Sequence, residues 1–151
     1  MRKLDDYFMA EALKEAQKAF ARDEVPVGCV IVREGQVIAR GHNQVEMLKD
    51  PTAHAEMLCL TSAAGTLGSK WLNDCSMYVT IEPCSMCAGA LVLARIKEVV
   101  FGAADPKTGA CGSVFQIAHN TKLNHRIKLR SGVREHECAG LLKEFFKKKR
   151  K

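Results

Sequence analysis

Residues 76–103 read strand, helix, strand without a break: SMYVTIE, then CSMCAGALVLAR, then EVVFGA. The outer runs are short, apolar and rich in β-branched residues, while the middle run carries Ala and Leu at helical spacing. Such a unit buries its strands only within a sheet, with the helix laid on one face. Every other segment is constrained by how it can join that sheet. GCVIVREGQVIARGHN reads as a β-hairpin, with Val27–Arg33 and Gln36–Arg40 (or a little beyond) joined by a tight turn at Glu34-Gly35.

The flanking segments supply helices. From Asp5 or Asp6 to about Ala21, apolar Phe8, Ala12, Ala16 and Phe20 recur every four residues between charged ones, the pattern of an amphipathic helix. Pro51 sets up a helix from about Ala53 to Ala64, followed by a loop around Gly65–Asp74. A glycine-rich loop spans Asp105–Ser113, then come a short apolar segment (Val114–Ala118), a strand at Arg126–Leu129 and a closing helix from about Arg134 to Lys148. These elements predict a three-layer α/β/α fold around a mixed sheet of about five strands. With 151 residues, no linker and no internal repeat, the chain is expected to be one domain over 1–151.

Charge is distributed unevenly. Residues 122–151 hold eleven Lys/Arg and three Glu, so this stretch carries more than the whole chain's net +6 and the remainder is slightly acidic. A basic terminal block ending in FFKKKRK favours a polyanionic partner, nucleic acid before membrane, although a solvated lysine tail has the same composition. The N-terminal segment carries acids and no continuous apolar core, unlike a signal peptide, and no run approaches the roughly 18 apolar residues of a membrane span. The expected location is cytoplasmic. Seven cysteines without a repeated spacing argue for free thiols and a metal site rather than a disulfide framework. Cys29, Cys59, Cys75 and Cys138 sit among apolar neighbours and are expected to be buried packing residues; Cys111 stays open.

The pair Cys84 and Cys87, in Pro83-Cys84-Ser85-Met86-Cys87, is ambiguous taken alone. Its spacing suits a redox disulfide, half of a structural zinc knot or two ligands of a catalytic metal. Upstream, Pro51-Thr52-Ala53-His54-Ala55-Glu56 places a histidine and a glutamate at another helix start. His54, Cys84 and Cys87 together offer one nitrogen and two sulfurs, three ligands of a tetrahedral zinc site with a fourth position open to water. Zinc there, one per chain, activates a water, and a carboxylate that is not a ligand must carry the protons; Glu56 is the candidate. On a regular helix His54 and Glu56 would point about 200° apart, so wheel arithmetic does not bring both into one pocket.

A thioredoxin-like protein also sets Cys-x-x-Cys at a helix start, but leaves His54-Ala55-Glu56 without a role. A structural-zinc RNA-binding module needs a fourth protein ligand, and His42 and Cys75 lack the paired spacing. His-x-Glu followed by Pro-Cys-x-x-Cys is instead the signature of zinc-dependent nucleobase deaminases.

Beyond that signature, EVPVGCVIV, DPTAHAEM, YVTIEPCSMCAGAL, RIKEVVFGAADPKTGACGSV, LNHRI and ECAGLLKEFFKKKRK resemble, in order over roughly residues 5–150, the bacterial tRNA-specific adenosine deaminases. The resemblance implies a cytidine deaminase-like fold, a homodimer, and conversion of adenosine to inosine at the wobble position of an arginine tRNA anticodon. It also implies that Asn43 hydrogen-bonds the flipped adenine and that Ala55 offers backbone to the pocket. Asp105, Lys107, Asn124, His125, Phe146 and Arg150 would line a groove for the tRNA anticodon stem-loop. A basic C-terminus beside Phe145 and Phe146 suits phosphate contacts and base stacking, with Phe145 expected to be buried by its helical phase.

Overall fold

Apolar side chains alternate between the two faces of each central strand, and that alternation builds two cores on one sheet. The structure, a computed structural model, describes residues 2–150. Its elements are α1 (Arg2–Ala21), β1 (Gly28–Arg33), β2 (Gln36–His42), α2 (Val45–Leu48), α3 (Ala55–Leu67), β3 (Cys75–Ile81), α4 (Ser85–Leu93), β4 (Glu98–Ala103), β5 (Lys128–Ser131) and α5 (Glu135–Lys149). The strands form one mixed sheet in the order β2-β1-β3-β4-β5. β1 is antiparallel to β2 and β3, whereas β3, β4 and β5 run parallel.

On one face Cys29, Ile31, Met77, Val79, Val99 and Phe101 pack with Cys59, Leu60 and Ala63 of α3 and Ala88 and Leu91 of α4. On the other face Val30, Val32, Tyr78 and Val100 meet Phe8, Met9, Ala12 and Leu13 of α1 and Cys138 of α5. Each large side chain buried this way contributes about 1.5–3 kcal/mol relative to exposure. The three layers and five strands match the expected fold, and Cys29, Cys59, Cys75 and Cys138 are all buried thiols. α1 lies so close to β1 that a Cβ on Gly28 would sit 2.2 Å from the Ala12 carbonyl oxygen.

Element boundaries shift where tertiary contacts override local preference. α3 begins at Ala55 rather than about Ala53, because Asp50 Oδ1 accepts both the backbone N–H and the hydroxyl of Thr52 and keeps the preceding residues in a turn. It runs on to Leu67 and stops at Gly68, whose φ of 63° lies in the left-handed region. α2 has no counterpart in the sequence pattern. Its first amides, Glu46 N–H and Met47 N–H, donate to the carboxylate of buried Glu24, 22 and 23 residues away. β5 starts two residues later than expected, since Ile127 N–H is taken by the Ala118 carbonyl before pairing with β4 begins.

A buried polar cluster ties α1 to the sheet. Asp5 accepts from the Tyr78 hydroxyl at 2.6 Å and from the guanidinium of Arg130, which also donates to Glu98. The hydrogen bond from Arg130, opposed by burial, holds the Asp5 carboxyl below its ordinary value of 3.8. A depressed carboxylate stabilises the fold above its unfolded pKa, and that contribution fades as pH falls through the folded value. Asp5→Asn should therefore lower stability near neutral pH by about 1–3 kcal/mol and lose its deficit against the parent as pH falls below the ordinary carboxylate range. Urea midpoints measured from pH 7 downward check this, and parallel curves for the two proteins would contradict it.

Candidate active site

Two helices start at the same point. His54 is the N-cap of α3 (φ −75°, ψ 153°) and Cys84 the N-cap of α4 (φ −76°, ψ 177°), and neither side chain caps its own helix. Each has the extended backbone usual at an N-cap, which takes it off the helical wheel of the residues that follow. His54 is therefore not on the helix at all, so the 200° separation from Glu56 never arises. Both Cys84 Sγ and Cys87 Sγ lie 3.6 Å from His54 Nδ1, and the three ligand atoms are within 4.8 Å of one another.

That spacing fits zinc. Tetrahedral angles with Zn–S near 2.3 Å and Zn–N near 2.0–2.1 Å place nitrogen and sulfur about 3.6 Å apart. One ring nitrogen also cannot hydrogen-bond fully with two sulfurs, whereas one ion satisfies all three. The proton shared with Cys87, opposed by burial and helped by His54, pulls the Cys84 thiol down to about 4. Cys87 is pushed the other way, first by that sharing and then by burial. The hydrogen bond with Cys84 raises His54. Cys84 and Cys87 both sit at the N-terminus of α4, a setting that favours the thiolate form that binds metal.

Glu56 is the second residue of α3 and is 3 % exposed. Its Oε1 has no hydrogen-bond partner among the described residues, and burial pushes the carboxyl up to about 7. It lines a cavity of about 730 Å³ together with His54, Cys84 and Asn43. Asn43, buried at the end of β2, accepts the Ala55 N–H on Oδ1 at 2.9 Å. That bond fixes the amide's orientation and leaves Nδ2 as a donor. The Ala55 N–H is thus committed to Asn43.

The cavity's far wall comes from Asp105, Thr108 and the end of α5, with Phe146 and Lys149. Phe145 is buried, edge-on to Phe20 at 5.9 Å, and Phe146 is 46 % exposed. Lys107 is exposed on the same loop as Asp105, its N–H donating to Asp105 Oδ1, and Arg150 caps α5 beside Lys149. Asn124 and His125 lie elsewhere. His125 Nε2 is 2.6 Å from the Ile96 carbonyl oxygen, just ahead of β4, whereas Cys84 follows the far end of β3. Parallel strands of six or seven residues separate those ends by about 20 Å.

Two cavity-lining residues escape sequence patterns: Glu24, which holds α2, and Glu82, which precedes Pro83-Cys84. Each is an acid beside an otherwise apolar run near a proline, a signal that only a known partner makes meaningful. Glu82 accepts from the N–H groups of Asp105, Cys111 and Ser113 and from the Ser113 hydroxyl. Burial opposes its charge, yet these bonds leave the carboxyl below its ordinary range.

The family model of the cytidine and deoxycytidylate deaminase zinc-binding region matches residues 2–103. A tRNA-specific adenosine deaminase of Aquifex aeolicus (strain VF5) is 53% identical over 145 residues, covering 96% of this chain and 95% of that protein. The chain belongs to the tRNA-specific adenosine deaminase family. A relative of the same name from Bacillus subtilis (strain 168) is 48% identical, covering 97% of this chain and 91% of its own length. A solved structure from a study of A-to-I editing by tRNA:A34 deaminases at the wobble position superposes with a TM-score of 0.87. It is 44% identical and covers 90% of this chain and 99% of its own.

In this deaminase fold, His54→Ala, Cys84→Ala and Cys87→Ala should each drop zinc from one per chain to a small fraction. Cys59→Ser, a buried thiol outside the ligand set, should retain it. Metal analysis of the purified variants checks this; full zinc in any of the three ligand variants would remove that residue from the site.

Proposed function

We propose that the protein hydrolytically deaminates adenosine to inosine at the wobble position of a tRNA anticodon, with arginine tRNA as the substrate. One observation carries the reading: the buried Glu56 carboxyl, one oxygen orphaned, shares a cavity with Asn43 and with His54 and Cys84 of the three-ligand set. The family match and relatives named for tRNA adenosine deamination support the substrate class.

His54, Cys84 and Cys87 would hold the zinc, which when bound supplies the Lewis acidity that makes water a nucleophile near neutral pH. Glu56 would take a proton from the attacking water and give it to the ring nitrogen next to the carbon under attack, then carry the second proton to the departing ammonia. Its burial keeps competing water from the carboxylate. Asn43 Nδ2 donates to the base, and its bond to Ala55 N–H fixes that donor in place at the helix start. A cavity of about 730 Å³ has room for an extruded base, and exposed Phe146 offers a face for a neighbouring one. Asp105, Lys107 and Arg150 on the rim, and Asn124 and His125 at the sheet's other end, are further RNA contacts in this reading.

No helix among the described residues is long and apolar enough to cross a membrane. Seven free cysteines suit a reducing compartment, and we place the enzyme in the cytoplasm. We also propose a homodimer through the outer face of α4, where Met86 and Gly89 are half-buried and Leu93 is 80 % exposed. A monomer mass by light scattering at micromolar concentration would overturn it.

Incubation with tRNA carrying a wobble adenosine should yield inosine, and Glu56→Gln should keep zinc while losing at least about a thousandfold in turnover. Efficient conversion of free adenosine or guanine, with no inosine in the tRNA, would replace this reading with a salvage activity. Because Phe145 belongs to the core, the basic tail is best tested by ending the chain there. Loss of residues 146–151 removes five Lys/Arg and should reduce the salt slope of RNA binding by up to about 3. Identical salt titrations would leave the tail a solubilising segment.

A further inference from the structure

We infer that Glu82 is a positioning residue for this reaction, clamping the Asp105–Ser113 loop to the segment that carries zinc ligand Cys84. The inference rests on the functional reading above and adds a residue to it. Glu82 is 3 % exposed, and its backbone N–H continues the β3–β4 pairing by donating to the Ala103 carbonyl at 2.9 Å. Its side chain then meets the glycine-rich loop. Oε1 accepts the Asp105 N–H at 3.0 Å and the Ser113 hydroxyl; Oε2 accepts the N–H groups of Cys111 at 2.9 Å and Ser113 at 3.1 Å.

The next two residues complete the attachment. The Pro83 carbonyl accepts the Ala110 N–H at 2.8 Å, and Cys84 forms a bridge with Gly109. Closure depends on Gly109, where a Cβ would lie 2.4 Å from the Glu82 carboxyl carbon. Within the loop, Asp105 accepts the N–H groups of Lys107 and Thr108 and the Thr108 hydroxyl, folding 105–109 into a tight turn. Asp105 and Thr108 are the part of the loop that faces the cavity. One three-residue segment, Glu82–Cys84, therefore sets the distance between the metal ligand and the wall that receives the substrate.

A negative acceptor is required. Three amides and a hydroxyl point at two oxygens, and an amide NH2 in place of either oxygen would face donors with a donor. A released loop must be ordered by the substrate itself, which weakens binding; once substrate is seated, His54, Cys84, Cys87 and Glu56 act as before. The clamp therefore affects KM more than kcat. A general loss of stability does the reverse, because it removes active molecules without altering the KM of those that remain.

Amide hydrogen exchange and steady-state kinetics on Glu82→Gln test this with zinc-loaded protein and an anticodon stem-loop bearing the wobble adenosine. Exchange at Asp105, Cys111 and Ser113 should speed by at least about tenfold while Val79 and Val100 stay protected. KM should rise by about tenfold with kcat within about threefold and zinc still one per chain. Unchanged exchange at those three amides, or a wild-type KM with the deficit confined to kcat, overturns the proposal. If Glu82→Gln does not fold, Ser113→Ala removes one of the four bonds and should raise KM by about threefold; an unchanged KM there overturns it equally. Parent protein inactive on the stem-loop overturns the functional reading alone, and loop exchange then decides whether Glu82 clamps the loop.

Discussion

Two helix N-termini aimed at one point underlie the site. α3 and α4 both open on N-cap residues with extended backbone, His54 and Cys84, which lie off the helical wheels and whose side chains converge. Partial positive charge at the α4 end favours thiolates there. A cation then completes the arrangement, because two sulfurs 3.6 Å from one ring nitrogen need a common partner. Cys87 and Glu56, from the first turns of the two helices, fill in behind the caps. Moving either helix start by a residue would rotate its contribution away.

The sheet holds those starts in place. β3 delivers Glu82, Pro83 and Cys84 at its end, and β2 delivers Asn43 at its own. Asn43 in turn fixes the start of α3 through Ala55 N–H. Face-to-face packing of α3 and α4 on Ile31, Met77, Val79 and Val99 keeps the two helices from sliding. Buried carboxylates then attach what the apolar core cannot reach: Glu24 the α2 turn and Glu82 the glycine-rich loop. The pocket is thus an apolar scaffold with polar walls tied on by buried acidic side chains.

Much of this was legible beforehand. Alternating apolar runs identified the strands, helical spacing identified α1, α3, α4 and α5, and the separated His-x-Glu and Pro-Cys-x-x-Cys motifs identified the metal set. Phe145 and Phe146 were told apart by phase alone, and the structure buries the first and exposes the second. Less legible were features held by distant partners. α2 has no periodicity of its own and exists because Glu24 reaches its amides. The residues around His54 read as helix until Asp50 and Thr52 are seen holding the turn.

What the sequence determined by itself was the chemistry: one imidazole, two thiolates and one acid at helix starts, plus a basic tail. Those are local facts, carried by residue type and by spacing within a few positions. Only the tertiary structure decided which acids serve the pocket and where each expected contact lies. Asn124 and His125 fall about 20 Å from Cys84 along the strand direction, while Glu82, silent in the sequence, lies against the loop that faces the substrate. The reason is that a carboxylate's role depends on which donors surround it. Those donors come from segments some 20 to 30 residues away, brought together only when the sheet forms.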